Sequence, residues 1–233
     1  MIRRLSIIVA IVALGLVFAS LVIGYAEQQS PRLLAEDYIR LVPQELGAPN
    51  VVTGILLTYR AFDTLGEVAV LFMVAASIGL VLGGDRPPRG ALSEDHPDAA
   101  RPSSEIVRTG AQILVPLISI FAAYIIMNGH LTAGGGFQGG AVIASGVLLM
   151  LLAFPQYQPN LEFLGVTESV AGALFVLAGI AGLIFAGGFL DNRILPLGQF
   201  GAFFSAGAIP VLSVLLGIKV GSELSVILDR FRP

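Results

Sequence analysis

The chain has 233 residues, of which 55% are hydrophobic and only 12% are charged, and its mean hydropathy is +0.86. This composition excludes an ordinary soluble domain and indicates an all-α integral membrane protein. The formal net charge of −3 argues against a nucleic-acid-binding protein, which would carry a cluster of basic residues. The lack of cysteine excludes disulfides, thiolate metal sites and iron–sulfur ligation within the chain.

The first candidate span is Leu5–Gly24, an uncharged stretch that follows Arg3 and Arg4. Its length is sufficient to cross a bilayer as a helix. A cleaved signal peptide is the alternative, because Gly24-Tyr25-Ala26 loosely resembles a cleavage site. The apolar core of such a peptide is usually about 7–15 residues long, shorter than this stretch. We therefore expect a retained helix.

A second span is predicted at Thr64–Gly83, after an interrupted approach. Val51–Tyr59 is apolar but too short to cross the membrane, and Arg60, Asp63 and Glu67 follow it. We expect a broken or re-entrant segment here. The three charged residues are spaced i, i+3 and i+7, so they share one face of a helix.

Two polar stretches separate apolar segments. Residues 27–49 predict an extramembrane loop with a short surface helix. Residues 85–104 are rich in proline and charge and predict a hydrophilic linker, which divides the chain into a two-span region, 1–84, and a four-span region, 105–233. We expect His96, within the linker, to be a solvated loop histidine.

Four further spans are predicted at Ile106–Met127, Gln138–Phe154, Ser169–Leu190 and Gln199–Val220. Pro116 and Pro210 fall inside two of these spans, where proline kinks a helix by removing a backbone hydrogen bond. Small residues recur every four positions in the fifth span, a pattern that favours close helix packing. These residues are Ala178, Gly182 and Ala186.

The distribution of arginine predicts the orientation. With six spans, eight arginines lie on one side: Arg3, Arg4, Arg86, Arg89, Arg101, Arg108, Arg230 and Arg232. Three lie on the other side: Arg32, Arg40 and Arg193. Since arginine and lysine accumulate on the cytoplasmic side, we expect a multi-pass plasma-membrane protein with both termini in the cytoplasm.

A glycine-rich stretch, Gly129–Gly140, lies between the third and fourth spans. Its composition favours a tight, re-entrant turn over a regular helix. Seven residues form the predicted turn: Gly134, Gly135, Gly136, Phe137, Gln138, Gly139 and Gly140. We expect Phe137 to point into the protein. The stretch also fits the dinucleotide pattern G-x-G-x-x-G, but neither a preceding strand nor a following acidic residue supports nucleotide binding.

Two groups of ionisable residues lie in or next to spans. The first contains Arg60, Asp63 and Glu67, and the second pairs Lys219 with Glu223 near the end of the last span. Charges at such depth are costly and often mark ion paths, so these residues are ion-path candidates. The alternative is that Arg60–Asp63 and Lys219–Glu223 are merely neutralised pairs; this alternative fits Glu67 less well.

His130 is the remaining candidate, because a histidine can relay protons near neutral pH. Its alternative role is to cap the third helix or to bond the backbone of the turn. Two histidines leave little scope for a metal site, and we expect no metal or other cofactor. No nucleophile–base–orienter set is recognisable, so we expect no enzymatic site in this chain.

Three stretches resemble a known family. Gly129–Gly140, GHLTAGGGFQGG, and Lys219–Leu224, KVGSEL, closely resemble the B subunit of Mrp-type multisubunit Na+/H+ antiporters. That family usually has proline where this chain has Ala133. Asn50–Glu67 resembles the C-terminal region of the large A subunit of those antiporters. A similar region occurs as a separate small subunit in energy-converting hydrogenases.

The resemblance implies a cofactor-free membrane subunit of a complex that couples proton movement to sodium export. Its partners would be other membrane subunits, the lipid bilayer, Na+ and H+, and not nucleic acid. The alternative is an ion-pumping membrane subunit of a ferredoxin-dependent, energy-converting hydrogenase-type complex, with the redox chemistry in partner subunits. A structural spacer and an independent small transporter are further possibilities, although the two unlike halves show no inverted repeat.

Overall fold

The computed structural model describes residues 2–25, 30–82 and 103–231, which form eight α-helices and contain no β-strand. The helices are α1 Ile2–Ile23, α2 Leu33–Leu41, α3 Val51–Gly54, α4 Ala61–Leu82, α5 Glu105–Met127, α6 Gly136–Ala153, α7 Leu161–Phe185 and α8 Ile209–Arg230. Six of these, α1 and α4 to α8, are long and apolar enough to span a membrane. The predicted all-α membrane fold is confirmed. The predicted linker falls mainly outside the described residues.

The chain forms two compact units, Met1–Asp37 and Tyr38–Pro233. Helix α1 belongs to the first unit, and its apolar stretch Leu5–Ile23 agrees with the predicted first span. Helix α2 is the short helix predicted in the first polar loop. Glu36 in its first turn and Arg40 in its last complement the helix dipole.

The approach to α4 is broken, as predicted. The Asn50 side chain caps α3 by accepting hydrogen bonds from the N–H groups of Val52 and Thr53. The chain then widens into a π-helical turn, Ile55–Tyr59, and leaves helical geometry at Arg60, where φ is −117° and ψ is 37°. Helix α4 starts at the next residue.

The second unit is a helical bundle centred on α8, which packs against α4, α6 and α7. Gly136 of α6 lies against Ser213, and Gly140 lies against Val220, so α6 and α8 run parallel. The Arg230 side chain donates a 3.1 Å hydrogen bond to the carbonyl of Ala75, which shows that α4 has the same direction. Helices α5 and α7 run oppositely.

Three connecting segments therefore gather at one end of the bundle, which we call the loop end: residues 42–60, 128–135 and 186–208. The apolar core reaches from these segments into the bundle along α8. Its largest fully buried apolar side chains are Phe175, Leu190, Ile209, Leu212, Val42 and Val220. The loop-end segments are thus packed parts of the fold.

The bounds predicted for the last two spans are wrong. Helix α7 begins eight residues earlier than predicted, and α8 begins at Ile209, ten residues later. Pro210 therefore lies in the first turn of α8, where proline breaks no helical hydrogen bond. The carbonyl of Ala206, four residues before Pro210, accepts hydrogen bonds from Asn192 and from the N–H of Ile209.

One member of the fifth span's small-residue pattern, Gly182, packs against a loop. Gly182 is buried, but an added Cβ would lie 2.7 Å from the carbonyl oxygen of Gly188 and from the N–H of Asp191. The small residue therefore admits the loop that folds back after α7, not another helix. The other predicted proline position is confirmed, because Pro116 lies inside α5.

Candidate functional site

The glycine-rich stretch forms a tight turn tied to the start of α3. Asn50 Nδ2 donates hydrogen bonds to the carbonyls of Gly129 and Thr132, each at 2.7 Å. Thr53 Oγ1 donates to the carbonyl of Gly129 at 2.8 Å. At Gly135, φ is 147°, a conformation that strongly favours glycine. A turn is thus present over residues 128–135, but Gly136, Phe137, Gln138, Gly139 and Gly140, which were predicted to belong to it, form the start of α6 instead. Its re-entrant placement in a membrane stays a prediction.

The glycines that follow the turn bring α6 close to α8. A Cβ at Gly136 would lie 2.3 Å from the carbonyl oxygen of Ser213, and a Cβ at Gly140 would lie 2.8 Å from the Cβ of Val220. On α8, Gly217 and Gly221 provide the matching small surface. This is the close approach that small residues permit between membrane helices.

His130 lies inside the turn and is fully buried. The N–H of Asn50 donates a hydrogen bond to its backbone carbonyl at 3.0 Å. Neither ring nitrogen has a partner in hydrogen-bonding geometry among the described residues. Burial lowers the pKa of His130, and polar contacts with the backbone of Ala202, Phe203 and Met127 oppose this shift. The ring is therefore neutral at pH 7.

Lys219 and Glu223 form an ion pair in the middle of α8, not near the end of the last span as predicted. Lys219 Nζ lies 2.5 Å from Glu223 Oε2, and the two side chains are 5% and 0% exposed. Lys219 is ten residues, or about 15 Å, from the start of α8. The misplaced span explains the error, because α8 actually extends ten residues further.

Glu168 joins this pair and was missed by the sequence analysis. It lies on α7, half-buried, and interacts electrostatically with Glu223, Lys219 and Arg230. Because the fifth span was predicted to begin at Ser169, Glu168 was placed just outside the membrane. One signal in the sequence could have revealed it: Glu168 directly precedes the predicted start of the fifth span, and the helix actually begins earlier, at Leu161.

Only two of the three charged residues in the first group are paired with each other. Arg60 and Asp63 form an ion pair whose side chains are 60% and 47% exposed, consistent with the neutralised-pair alternative. Glu67 is exposed and lines an apolar groove of about 520 Å³ between α4, the glycine-rich turn and α8. Six residues after the start of α4, it lies about 9 Å along the helix.

Phe137 and Gln138 line the same groove opposite Glu67. Phe137 is 38% exposed, so the expectation that it points into this chain's interior is wrong. Its ring lies at the groove in the first turn of α6, which starts at Gly136, two residues earlier than predicted. Glu67 thus faces an aromatic ring and an amide across an apolar surface.

The structure keeps the two groups of charged residues apart. Glu67 faces the groove on one side of α4, whereas Val68 and Phe72 face a second groove that contains Lys219 and Glu168. Glu67 and Lys219 therefore lie at two different grooves, one on each side of α4. Among the described residues, no group of three or more His, Asp or Glu side chains is arranged to hold a metal ion.

A polar pocket of about 540 Å³ lies at the loop end, outside the spans. Tyr59 donates a 2.6 Å hydrogen bond to Glu45; burial and this carboxylate raise the pKa of Tyr59. Arg193 bonds Asp191 and holds the pKa of that carboxyl below its usual range. In each pair the two side chains bond each other, so both pairs stabilise the loop end.

Two family models match the chain. A domain related to the MnhB subunit of the Na+/H+ antiporter matches residues 106–226. The MbhE family, which describes one of the subunits of MBH, matches residues 2–98. The boundary between the two matches falls at the stretch that the sequence predicted as a linker.

Three known proteins give the scale of the similarity. An uncharacterized protein of Methanocaldococcus jannaschii is 30% identical over 197 residues, which are 76% of this chain and 74% of the relative. A chain in the structure of the membrane-bound sulfane sulfur reductase, an archaeal respiratory membrane complex, is 36% identical with a TM-score of 0.79, covering 100% of this chain and 99% of that chain.

A chain in the structure of the Mrp complex from Dietzia sp. is 25% identical with a TM-score of 0.73, covering 99% of this chain. This chain spans only 26% of that longer one. The resemblance found in the glycine-rich and KVGSEL stretches is thereby confirmed. The chain belongs to the family of membrane proteins that contain a domain related to the MnhB subunit of Na+/H+ antiporters.

Proposed function

We propose that this chain is a membrane subunit of a multisubunit Na+/H+ antiporter, where it contributes to the ion path and to assembly. The observation that carries the proposal is the Lys219–Glu223 ion pair at the midpoint of a spanning helix. A charged side chain at this depth costs about 2.5–3.5 kcal/mol on insertion scales. Such a cost is tolerated where ions or protons move, and the family supplies the class of ion.

The partners are other membrane subunits, because the similar chains of known structure belong to multisubunit membrane complexes. The chain itself is a transporter subunit. We assign any redox chemistry to partner subunits, and no cofactor to this chain. The exposed apolar faces of the spanning helices suit contact with lipid or with partner helices.

A second candidate is the corresponding subunit of a redox-driven, ion-pumping complex, such as a ferredoxin-dependent hydrogenase-type complex. The observation that favours it is the full-length match to a chain of an archaeal respiratory complex. In both candidates the chain has the same task, which is to carry part of an ion path. They differ in the subunits around it.

Affinity purification from native membranes separates the two candidates. An antiporter predicts copurification of membrane subunits alone, with Na+/H+ exchange in vesicles driven by an imposed ion gradient. The redox-driven candidate predicts copurified iron–sulfur or nickel–iron subunits and ion movement that requires a reductant. A chain that purifies alone, or a complex that moves no ions, contradicts both.

Within the ion path we assign the principal role to Lys219 and Glu223, and a separate role to Glu67 in its own groove. Asp63 and Arg60 form an exposed ion pair at the start of α4. His130 has a supporting role, because it is enclosed and neutral in the turn. The turn residues position α6 against α8. We also retain the division into 1–84, the 85–104 linker and 105–233.

We propose that both termini are cytoplasmic, which places the loop end on the outer face of the plasma membrane. Because the chain lacks cysteine, single cysteines can report this orientation directly. Gln199 and Gln156 are exposed in loops at opposite ends of the bundle. An impermeant maleimide added to intact cells should label the Gln199→Cys variant and not the Gln156→Cys variant. The reverse pattern would invert the orientation.

A further inference from the structure

A groove of about 630 Å³ runs between α4 and α7, with α8 as its floor. Its α4 wall is apolar and includes Leu65, Val68 and Phe72. The ionisable side chains that line it are Glu168 on α7 and Lys219 on the floor. The groove therefore connects the half-buried carboxylate of Glu168 to the buried ion pair.

The helix positions place these groups at successive depths. From the loop end, Lys219 is about 15 Å and Glu223 about 21 Å along α8. Glu168 is only seven residues, or about 10 Å, from the opposite end of α7. The three groups therefore extend from the middle of the bundle toward the end away from the loops.

Two carboxylates, Glu168 and Glu223, belong to this cluster, whereas the cation that lines the groove is Lys219, which is already paired with Glu223. The guanidinium of Arg230 also acts on Glu168, from the last residue of α8. In a low-dielectric interior, a second negative charge next to the first is unfavourable, and one added proton removes it.

A second observation points to the same ligand. Glu223 is completely buried, and its Oε1 has no hydrogen-bond partner among the described residues, whereas Oε2 is bound by Lys219. A buried carboxylate oxygen without a donor is costly. A proton on Oε1 removes the negative charge of this carboxyl group and so lowers the cost of its burial.

The site suits a proton better than a metal cation. Lys219 Nζ, 2.5 Å from Glu223 Oε2, already places a positive charge next to this carboxylate, and that charge repels a second cation. Apart from Glu168 and the Ser169 hydroxyl, the side chains lining the groove offer no oxygen ligand. A hard cation would therefore find too few ligands to replace its hydration shell.

We propose that Glu168, Lys219 and Glu223 form an intramembrane proton-binding site, which the groove between α4 and α7 supplies with protons through Glu168. This inference rests on the proposed function. A hydronium ion in the groove gives a proton to a Glu168 carboxylate oxygen and becomes water, Glu168 passes the proton to Glu223, and the ammonium group of Lys219 balances the carboxylate charge that remains. One O–H bond breaks and one forms at each transfer.

The test uses the assembled complex in vesicles and compares Glu168→Gln with Glu162→Gln, which removes an exposed carboxylate from the first turn of the same helix. Glu168→Gln should slow proton-coupled transport about a hundredfold, the low end of what a positioned proton carrier contributes. Glu162→Gln should transport at the wild-type rate. Glu168→Asp keeps a carboxylate and should restore transport with a shifted pH profile.

Infrared titration of the purified complex provides a readout that is independent of transport. The wild type should show a protonated-carboxyl band that changes with pH, and Glu168→Gln should remove or displace it. If Glu168→Gln does not assemble, the same band in Glu168→Asp should be displaced. An unchanged band and pH profile in these variants overturn the inference.

A different result, with Glu223→Gln, would contradict the proposed function itself. If Glu223→Gln assembles and transports normally, the central ion pair is not part of an ion path, whatever Glu168 does. If Glu223→Gln stops transport while both Glu168 variants behave as wild type, the proposed function stands and only the proton entry through Glu168 is wrong.

Discussion

Asn50 donates a hydrogen bond from its side-chain amide to the carbonyl of Gly129, 79 residues later in the chain, at 2.7 Å. The same amide also donates a hydrogen bond to the carbonyl of Thr132, and the side-chain oxygen of Asn50 caps α3. One side chain thereby joins the region preceding α4 to the turn between α5 and α6. These hydrogen bonds thus join the MnhB-related domain to the upstream region at the loop end.

Replacing Asn50 with alanine should destabilise the assembled complex by about 1–3 kcal/mol, because the hydrogen bonds to the carbonyls of Gly129 and Thr132 and the cap of α3 are lost together. The measurement is thermal unfolding of the purified complex. Asn160→Ala is the control, since that residue is exposed and caps only α7, which limits the cost to about 1 kcal/mol. Equal midpoints for the two variants would show that Asn50 is merely a helix cap.

Gly136→Ala should weaken the packing of α6 on α8. The new Cβ would lie 2.3 Å from a backbone carbonyl of α8, so the helices must separate, at a cost of about 1–3 kcal/mol. Gly165→Ala is the matched control, because nothing lies within 4 Å of its Cβ position. Complex yield and thermal midpoint should fall for Gly136→Ala alone. Similar behaviour of both variants would contradict the close approach.

The Lys219–Glu223 pair should show strong coupling in a double-mutant cycle. Lys219→Met leaves a fully buried carboxylate without its partner and should cost about 3–5 kcal/mol. Adding Glu223→Gln should recover part of that loss. Arg60→Met breaks an exposed pair and should cost at most about 1 kcal/mol. Additive effects at Lys219 and Glu223 would refute the buried pair.

Acid should destabilise the protein through His130. Burial lowers the pKa of this histidine below its ordinary 6.5, so the unfolded chain binds a proton more readily than the folded one. Its contribution to stability is complete above the unfolded pKa and is lost as pH falls through that value toward the folded pKa. Thermal midpoints of His130→Gln should therefore depend less on pH below 6.5 than those of the wild type. Parallel pH profiles would contradict this.

Hydropathy predicted the number of spans because each is an apolar run long enough to cross a bilayer. It misplaced α7 and α8 because the segment 186–208 between them is also apolar, with Leu190 buried in the core and Phe200 and Phe203 nearby. A packed loop and a spanning helix have the same hydropathy. The positive φ angles at Gly187, Gly198, Gly201 and Gly207 mark it as a loop.

The candidate site was predictable only where its residues are close in sequence. Lys219 and Glu223 are one helical turn apart, so their pairing follows from spacing alone. Glu168 reaches them only because α7 packs antiparallel to α8, and the connection of Asn50 to Gly129 crosses 79 residues. Such contacts depend on tertiary packing, which a single sequence does not reveal.

The most direct test of the account is Na+/H+ exchange by vesicles that contain the complex with Glu223→Gln. This substitution keeps the size of the side chain and removes the charge that pairs with Lys219 at the centre of the membrane. We predict that the variant complex assembles with its full set of subunits and exchanges ions at a small fraction of the wild-type rate. Assembly with wild-type exchange would contradict the central claim and make the ion pair a packing feature.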